Sequence, residues 1–237
     1  MKTVYYHPWC PWASANREED PLDNPLFLDD VYIAPTTYKE YLQNTNWWEG
    51  HEFATCPAVG HFATNTFVFY AQVPLHFKLN EEEGNAQIDL LLTPEENHSF
   101  HHVRFGNDEV VNDKLVLQFL PRYLMWTPDK DVWLEEISMG NPIIPAMFPL
   151  SKWPRSINQT SLSTRGQEIK ISRGDPIFAI RFPDRGEKYK LVKKRPTEAE
   201  SLEQKRTLQL KEFLPRLSWS IALNRKEKKK CPFRKFW

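Results

Sequence analysis

Proline constrains this chain more strongly than any other residue type does. The 237 residues include 19 prolines and only eight glycines, and the prolines are spread along the whole length. Because proline removes a backbone donor and clashes with the preceding turn of a helix, this distribution excludes long helices over most of the chain. The sequence therefore predicts many short elements joined by rigid turns.

Between residues 64 and 195 the apolar residues follow a strand pattern. Roughly ten short segments, rich in β-branched and aromatic residues or strictly alternating, recur at a spacing of about 8–12 residues with turn residues between them. This spacing indicates a mainly β fold, either an antiparallel β-sandwich or a jelly-roll-like barrel. The predicted strands are NTFVFYAQV, LHFKLN, AQIDLLLT, SFHHVRF, KLVLQFL, RYLMWT, DVWLEEI, NPIIPAMF, QEIKIS, PIFAIRF and KYKLVKKR.

The chain divides into three segments by composition. Residues 1–50 are predicted to be an irregular arm rich in proline and aromatic residues, apart from a short helix at 37–43 that Thr37 caps. Residues 51–196 are predicted to form the β-sandwich domain. Residues 197–237 begin with the capping-box pattern Thr-Glu-Ala-Glu and are predicted to form a C-terminal helix followed by a basic tail.

The stretch TCPAVGHFATNTFVFYAQVPLHFKLN, residues 55–80, contains a thiol and two histidines beside a long apolar run. His61 and His76 are predicted to lie on different faces, and no carboxylate stands beside them at a spacing suited to a metal. The apolar residues that follow are those of a buried strand. We therefore interpret the stretch as a strand pair that lines a core, and not as a chemical site.

No cofactor is expected from the sequence. Cys10, Cys56 and Cys231 each precede a proline and stand far apart, which favours free thiols over a zinc site, a haem ligand or a disulfide framework. Adjacent histidines such as His101 and His102 point to opposite faces of a strand. The Arg173-Gly174-Asp175 tripeptide is interpreted as a turn between two strands. The chain also lacks a glycine-rich phosphate loop and a nucleophile elbow.

Charge is divided unevenly along the chain. Residues 1–120 contain 6 Lys and Arg and 18 Asp and Glu, a net charge of −12, whereas residues 121–237 contain 25 and 13, a net charge of +12. The two halves either neutralise each other inside one molecule or form a bipolar surface that attracts a partner.

Both ends of the chain carry candidate partner-binding residues. Aromatic residues stand out in the first 50 residues, and basic residues interleaved with aromatic ones dominate the last 13. A protein partner, either a second copy or another protein, would suit both, and nucleic acid is an alternative for the basic tail. The candidates are Trp9, Trp12, Trp47, Trp48, Arg225, Lys226, Lys228, Lys229, Lys230, Arg234, Lys235 and Trp237.

Three motifs resemble those of an uncharacterised family of tailed-phage proteins. They are Cys56-Pro57-Ala58, Asn65-Thr66 before an apolar strand, and Gly174-Asp175-Pro176-Ile177. The similarity spans about residues 55–195. Two positions depart from the pattern, since Ala146 replaces a usual glycine and Pro154-Arg155 reverses the usual order. The resemblance implies a phage origin and assigns no catalytic residue. With that origin, a protein partner other than a second copy would be another phage or host protein.

The sequence therefore predicts a non-enzymatic phage protein, either a virion component or a factor that binds a partner through protein–protein contacts. A small-molecule or metal-dependent enzyme on a β-sandwich is the alternative, as is an accessory protein that binds nucleic acid through the basic tail. Residues 1–12 lack the layout of a signal peptide, and no apolar stretch is long enough for a transmembrane helix. The expected location is the host cytoplasm during infection, or the virion.

Overall fold

The computed structural model describes most of the central part of the chain and parts of both ends. The described residues are 1–8, 32–45, 55–72, 74–82, 85–91, 103–111, 114–119, 123–139, 146–150, 155–156, 159–164, 166–184, 186–200 and 202.

These residues form fifteen strands and two helices, and a further helical turn begins at residue 198. A mainly β fold is thus confirmed. In chain order the elements are β1 (Lys2–Pro8), β2 (Thr36–Thr37), α1 (Tyr38–Asn44), α2 (Pro57–Asn65), β3 (Thr66–Tyr70), β4 (Leu75–Glu82), β5 (Asn85–Leu90), β6 (Val103–Val111), β7 (Lys114–Phe119), β8 (Tyr123–Trp126), β9 (Trp133–Ser138), β10 (Met147–Pro149), β11 (Arg155–Ser156), β12 (Gln159–Thr164), β13 (Glu168–Ile171), β14 (Pro176–Arg181) and β15 (Tyr189–Lys193).

The strands assemble into four sheets. Sheet 1 has the order β11-β8-β1-β15, sheet 2 has β10-β9-β14-β3-β2, sheet 3 has β13-β4-β5, and sheet 4 has β12-β7-β6. Among the described strand pairs, only β1 and β15 run parallel, and the others are antiparallel. The prediction of antiparallel sheets is therefore confirmed.

The main core lies between sheets 1 and 2. Its centre is aromatic, because the ring of Phe69 stacks on Phe178 at 4.7 Å and meets Tyr123 edge-on at 4.6 Å. Phe69 and Phe178 belong to sheet 2, and Tyr123 belongs to sheet 1. Each ring is at most 1% exposed, so the two sheets share one desolvated interior. The buried members are Val4, Tyr6, Phe67, Phe69, Tyr123, Met125, Val132, Leu134, Leu150, Phe178, Ile180, Phe182 and Tyr189.

Strand β3 is buried on both of its faces. Phe67 and Phe69 point into the main core, and Thr66 and Val68 on the opposite face are also fully buried. Helices α1 and α2 both contact β3, so they account for the burial of that second face. This is why TFVFY contains no charged residue.

The local capping signals of the sequence are confirmed. The Thr37 backbone N–H donates to Glu40 Oε2 at 2.7 Å, and the Glu40 N–H donates to Thr37 Oγ1 at 3.2 Å, which closes a capping box at the start of α1. Thr197 and Glu200 form the same reciprocal pair, at 2.7 and 3.3 Å. The rest of the predicted C-terminal helix and the basic tail lie outside the described residues, apart from residue 202.

The interpretation of residues 55–80 as a strand pair was wrong. Residues 57–65 form helix α2, and the two following strands do not pair with each other. Instead β3 pairs with β14 in sheet 2, and β4 pairs with β13 in sheet 3. The chain therefore passes from sheet 2 to sheet 3 at 71–74.

The predicted turn at Arg173-Gly174-Asp175 is confirmed, but it does not close a hairpin. It leads from β13 in sheet 3 to β14 in sheet 2, beside the opposite crossing at 71–74. The Gly174 N–H donates to Ala71 O at 2.8 Å, and the Ala71 N–H donates to Asp175 O at 2.9 Å. The paired strands β3 and β14 in sheet 2 thus continue into the paired strands β4 and β13 in sheet 3, and both connections cross at the same place. Such crossings occur at the corners of packed sheets.

The prediction that residues 1–50 are irregular was wrong for residues 2–8. They form β1, which lies between β8 and β15 and contributes Val4 and Tyr6 to the core. Strands β11 and β12 were not predicted at all. The strand predicted from SFHHVRF corresponds to β6, which is described from Val103 onwards. His98, His101 and His102 lie outside the described residues.

Two glycines allow a matched test of the backbone at the sheet crossing. Gly174 has a φ of 92°, a conformation that side-chain-bearing residues adopt only at a cost of about 1–2 kcal/mol. Gly60 lies inside α2, where an added Cβ would meet nothing within 4 Å. We expect Gly174→Ala to lower the free energy of unfolding by about 1–2 kcal/mol, and Gly60→Ala to raise it by about 0.5–1 kcal/mol. Urea denaturation measures both, and equal effects at the two positions would contradict the conformation at Gly174.

Candidate functional site

A cluster of polar side chains lies where α2, β1 and the loop before β15 meet. Its members are Lys2, His61, Asn65, Asp184 and Tyr189. The loop at 182–188 carries the chain from β14 in sheet 2 to β15 in sheet 1, so this cluster stands at the junction of the two core sheets. We call it the junction cluster.

Asn65 is the buried member of the junction cluster, with only 1% of its surface exposed. Its Nδ2 donates to the carbonyl of Glu187 at 2.8 Å, and its Oδ1 accepts from the N–H of Tyr189 at 3.3 Å. Its backbone carbonyl accepts from the N–H of Phe182 at 3.0 Å. One residue therefore satisfies backbone groups at both ends of the loop, which buried backbone groups require.

Asp184 joins this loop to the first strand. Its Oδ2 accepts from Lys2 Nζ at 2.9 Å and from the Tyr189 hydroxyl at 3.1 Å. The hydrogen bond from Lys2 is the largest cause that holds the pKa of Asp184 below its usual value, and the same bond raises the pKa of Lys2. Burial raises the pKa of Tyr189 to about 12. At neutral pH the cluster thus contains a carboxylate, an ammonium and a protonated phenol.

These protonation states decide what the cluster can do chemically. The ammonium of Lys2 and the hydroxyl of Tyr189 share one acceptor oxygen and are both stabilised in their protonated forms. A general acid or base works best when its pKa lies near the operating pH, and here the shifts move these groups away from neutrality. The cluster therefore has the chemistry of a structural clasp.

Cys56 is an exposed free thiol at the N-cap of α2. The backbone N–H groups of Val59 and Ala58 hold the pKa of this thiol below its usual value. Pro57 occupies the first helical position, where its fixed φ suits a helix start. The unpaired N–H groups and the dipole of a helix start favour a thiolate at this position.

Gln72 ties the sheet-2 side of the core to the segment that precedes β2. Its Oε1 accepts from the Ile33 N–H and its Nε2 donates to the Ile33 carbonyl, each at 2.8 Å. Nε2 also lies 3.0 Å from the Tyr123 hydroxyl. Tyr123 is fully buried, and this burial raises its pKa. The side chain of Gln72 thus supplies the hydrogen bonds that a neighbouring strand would supply.

The outer face of β9 and β10 carries two large apolar side chains that are exposed to solvent. Trp133 is 45% exposed and Met147 is 53% exposed. The register pairs Met147 with Glu135 and Pro149 with Trp133, so all four residues share one face. Glu135 pairs with Arg181 on β14, whose guanidinium lies 5.4 Å from the ring centre of Phe62 in α2. We call Trp133 and Met147 the apolar pair.

Neither histidine of the 55–80 stretch lies in a metal-binding group. His61 is exposed on α2, with Nε2 3.4 Å from Asn65 Nδ2, and His76 on β4 lies 2.6 Å from Glu168 Oε1 on β13. In the part of the chain that the structure describes, no three His, Cys, Asp or Glu side chains come together as metal ligands would. No helix among the same residues has the length and apolar character needed to cross a bilayer.

The sequence-based candidates for partner binding are not located by the structure. All twelve lie outside the described residues: Trp9, Trp12, Trp47, Trp48, Arg225, Lys226, Lys228, Lys229, Lys230, Arg234, Lys235 and Trp237. Conversely, sequence reasoning missed the roles of Lys2, Gln72 and Asp184, whose partners are distant along the chain. The sequence analysis identified Asn65 only as part of the Asn65-Thr66 motif and assigned it no structural role.

Comparisons with protein-family models, with curated proteins and with solved structures find no match to this chain. The junction cluster and the apolar pair are therefore interpreted from their own geometry.

Replacing Asn65 tests the junction cluster. We expect Asn65→Ala to lower the free energy of unfolding by at least about 2 kcal/mol, because each buried backbone group left unpaired costs about 1–3 kcal/mol. Thr64→Ala is the matched control in the same helix, because Thr64 is exposed and does not belong to the junction cluster. Its replacement should change stability by no more than about 0.5 kcal/mol. If urea denaturation gave equal losses of unfolding free energy for the two variants, the Asn65 amide would not be what holds the loop between β14 and β15.

The thiol of Cys56 should titrate below the range of an ordinary cysteine. In a Cys10→Ser, Cys231→Ser background, the rate of alkylation by iodoacetamide should reach half of its maximum at a lower pH in the folded protein than in the same protein unfolded in urea. The reason is that the helix N–H groups stabilise the thiolate only in the folded state. Identical pH profiles for the two states would refute the stabilisation of the Cys56 thiolate by the start of α2.

Proposed function

We propose that this chain is a non-enzymatic protein that acts through protein–protein contacts. The observation that carries the proposal is the apolar pair on β9 and β10. Large apolar side chains that lie together on a solvent-facing sheet are typical of binding surfaces, and tryptophan and methionine are enriched at protein interfaces.

The surroundings of the apolar pair support this proposal. Helices α1 and α2 contact β2 and β3 at one edge of the outer face of sheet 2, whereas β9 and β10 carry the exposed residues at the other edge of that face. The neighbouring Arg181–Glu135 ion pair neutralises its own two charges. Exposed apolar side chains beside such a pair suit an apolar segment of a protein better than they suit a phosphate backbone.

The finer architecture belongs to the same proposal. We propose that sheets 1 and 2 are the two layers of a β-sandwich, with sheets 3 and 4 as extensions. The shared core of Phe69, Phe178 and Tyr123 supports this assignment. A jelly-roll-like arrangement of the same strands is the alternative.

A phage origin is proposed on the resemblance of the three motifs. Each motif has a structural role in the fold that is compatible with a family-wide scaffold. Cys56-Pro57 begins α2, Asn65-Thr66 links α2 to β3, and Gly174-Asp175 forms the sheet crossing. The host cytoplasm during infection, or the virion, is the location that this origin would imply.

Two other functions remain alternatives. Binding of nucleic acid through the basic tail would rest on residues 225–235, and an enzyme on the same scaffold would need a reactive site beyond the structural clasp of the junction cluster. The experiment on the apolar pair separates both from partner binding, because neither activity depends on Trp133 or Met147.

A photo-crosslinking amino acid tests the proposed surface directly. With the photoreactive residue at Ile137, which lies on the same face of β9 as Trp133, the protein expressed in infected cells should form a defined crosslinked adduct with one protein. The double change Trp133→Ser, Met147→Gln should reduce this adduct at least about tenfold, since a central apolar contact is worth about 1–2 kcal/mol or more.

Leu91→Ser is the matched control, because Leu91 is 45% exposed, as Trp133 is, but follows β5 in sheet 3. This variant should form the adduct at the normal level. Undiminished crosslinking in the double variant, or equal loss in the control, would refute the proposed surface.

A further inference from the structure

The first residues of β1 are held in a different way from the rest of the strand. Backbone pairing with β8 covers Tyr5 to Pro8 and does not extend to Thr3. Instead, side chains of the turn after β8 bond to the backbone of Thr3. Thr127 Oγ1 donates to the Thr3 carbonyl at 2.7 Å, and Asp129 Oδ2 accepts from the Thr3 N–H at 2.7 Å.

The other side of the same strand end is also fixed by an aspartate. The Lys2 N–H donates to the Lys188 carbonyl at 2.8 Å, next to the parallel pairing with β15. The Lys2 ammonium donates to the carboxylate of Asp184, which lies in the loop before β15. Two aspartates thus hold this end of β1. Asp129, in the turn after β8, bonds to Thr3, and Asp184, in the loop before β15, bonds to Lys2. We call this arrangement the clasp.

We propose that Asp184 makes this clasp proton-sensitive, so that the N-terminal end of β1 opens in acid before the rest of the core does. This inference is independent of the proposed partner binding. Protonation of Asp184 removes the charge that attracts Lys2. Opening would loosen the parallel pairing between β1 and the edge strand β15.

The groups around each carboxylate determine the sign of the pH effect. Asp184 faces Lys2 on β1, Tyr189 on β15 and His61 on α2, and the first two donate to it directly. The pKa of Asp184 is lower in the folded protein than its ordinary value of 3.8. Its contribution to stability is therefore complete above the pKa of the open state and disappears as the pH falls through the lowered folded value.

Two further groups lie beside the clasp. The N-terminal amine lies 3.5 Å from Glu187 Oε2. Asp129 is additionally oriented by its own N–H, which donates to Thr127 Oγ1 at 3.1 Å. The surrounding cations thus all favour the closed clasp while the carboxylates are charged.

Amide exchange at single-residue resolution tests the clasp in the full chain. We measure the protection factor of the Thr3 N–H, corrected for intrinsic exchange, against that of Phe69 in the core. At pH 7, Asp129→Asn and Asp184→Asn should each reduce protection at Thr3 by roughly two- to fivefold, the range that partly exposed ion pairs contribute. Protection at Phe69 should stay unchanged. In the unaltered protein the ratio of Thr3 to Phe69 protection should fall as the pH is lowered below about 4, the usual range of aspartate.

The variant Asp184→Asn should lose this pH dependence. Glu168→Gln is the matched control, because it removes the carboxylate that bonds to His76 on sheet 3, away from β1. The proposal is refuted if the Thr3 ratio does not change with pH, if Asp184→Asn keeps the same pH profile, or if Glu168→Gln lowers Thr3 protection equally.

Discussion

The packing of the two core sheets depends on how the chain passes from one to the other, and the side chain of Asn65 makes that passage possible. The loop between β14 and β15 leaves sheet 2 and enters sheet 1, so its backbone groups lose the ladder partners that a strand would give them. Asn65 replaces those partners with its carboxamide, which bonds to Glu187 and Tyr189. Its position between α2 and β3 ties the loop to the centre of sheet 2.

A side-chain amide has the same role at the other end of β3. Where β3 ends and the chain turns towards sheet 3, the carboxamide of Gln72 bonds to both backbone groups of Ile33. A carboxamide has the donor and acceptor of a peptide group, so it can continue a hydrogen-bond pattern where no strand lies alongside. Two amide side chains thus complete the backbone pairing at the sites where the sheets end.

The sequence predicted the features that depend on neighbours close along the chain. The Thr37 cap and the capping box of Thr197 and Glu200 each join residues three positions apart, and the alternation of LHFKLN is readable from side-chain type alone. Strand β1 was missed because its partners β8 and β15 lie more than 100 residues away, and neither proline nor tryptophan content reveals them. Helix α2 was missed because its apolar residues run directly into those of β3, while its true start signal was a cysteine and a proline.

The candidate site was less accessible to sequence reasoning than the fold. Lys2 and Asp184 are ordinary surface residue types until folding brings them to 2.9 Å. Trp133 was correctly predicted to lie in a strand. The alternation of apolar and polar residues did not show that the helices leave the outer face of that strand uncovered. The Asn-Thr motif was noticed as a resemblance, and its physical reason becomes clear only when Asn65 is seen beside the loop it holds.

Exchange of the side-chain amide protons of Asn65 tests the central claim most directly. An exposed carboxamide exchanges rapidly with solvent, whereas one that is 1% exposed and bonded to a backbone carbonyl is shielded. The account predicts an Asn65 Nδ2 proton that exchanges orders of magnitude more slowly than those of exposed asparagines in the same spectrum, together with a protected Tyr189 N–H. Rapid exchange at both positions in the folded protein would contradict the claim that this side chain joins the two sheets.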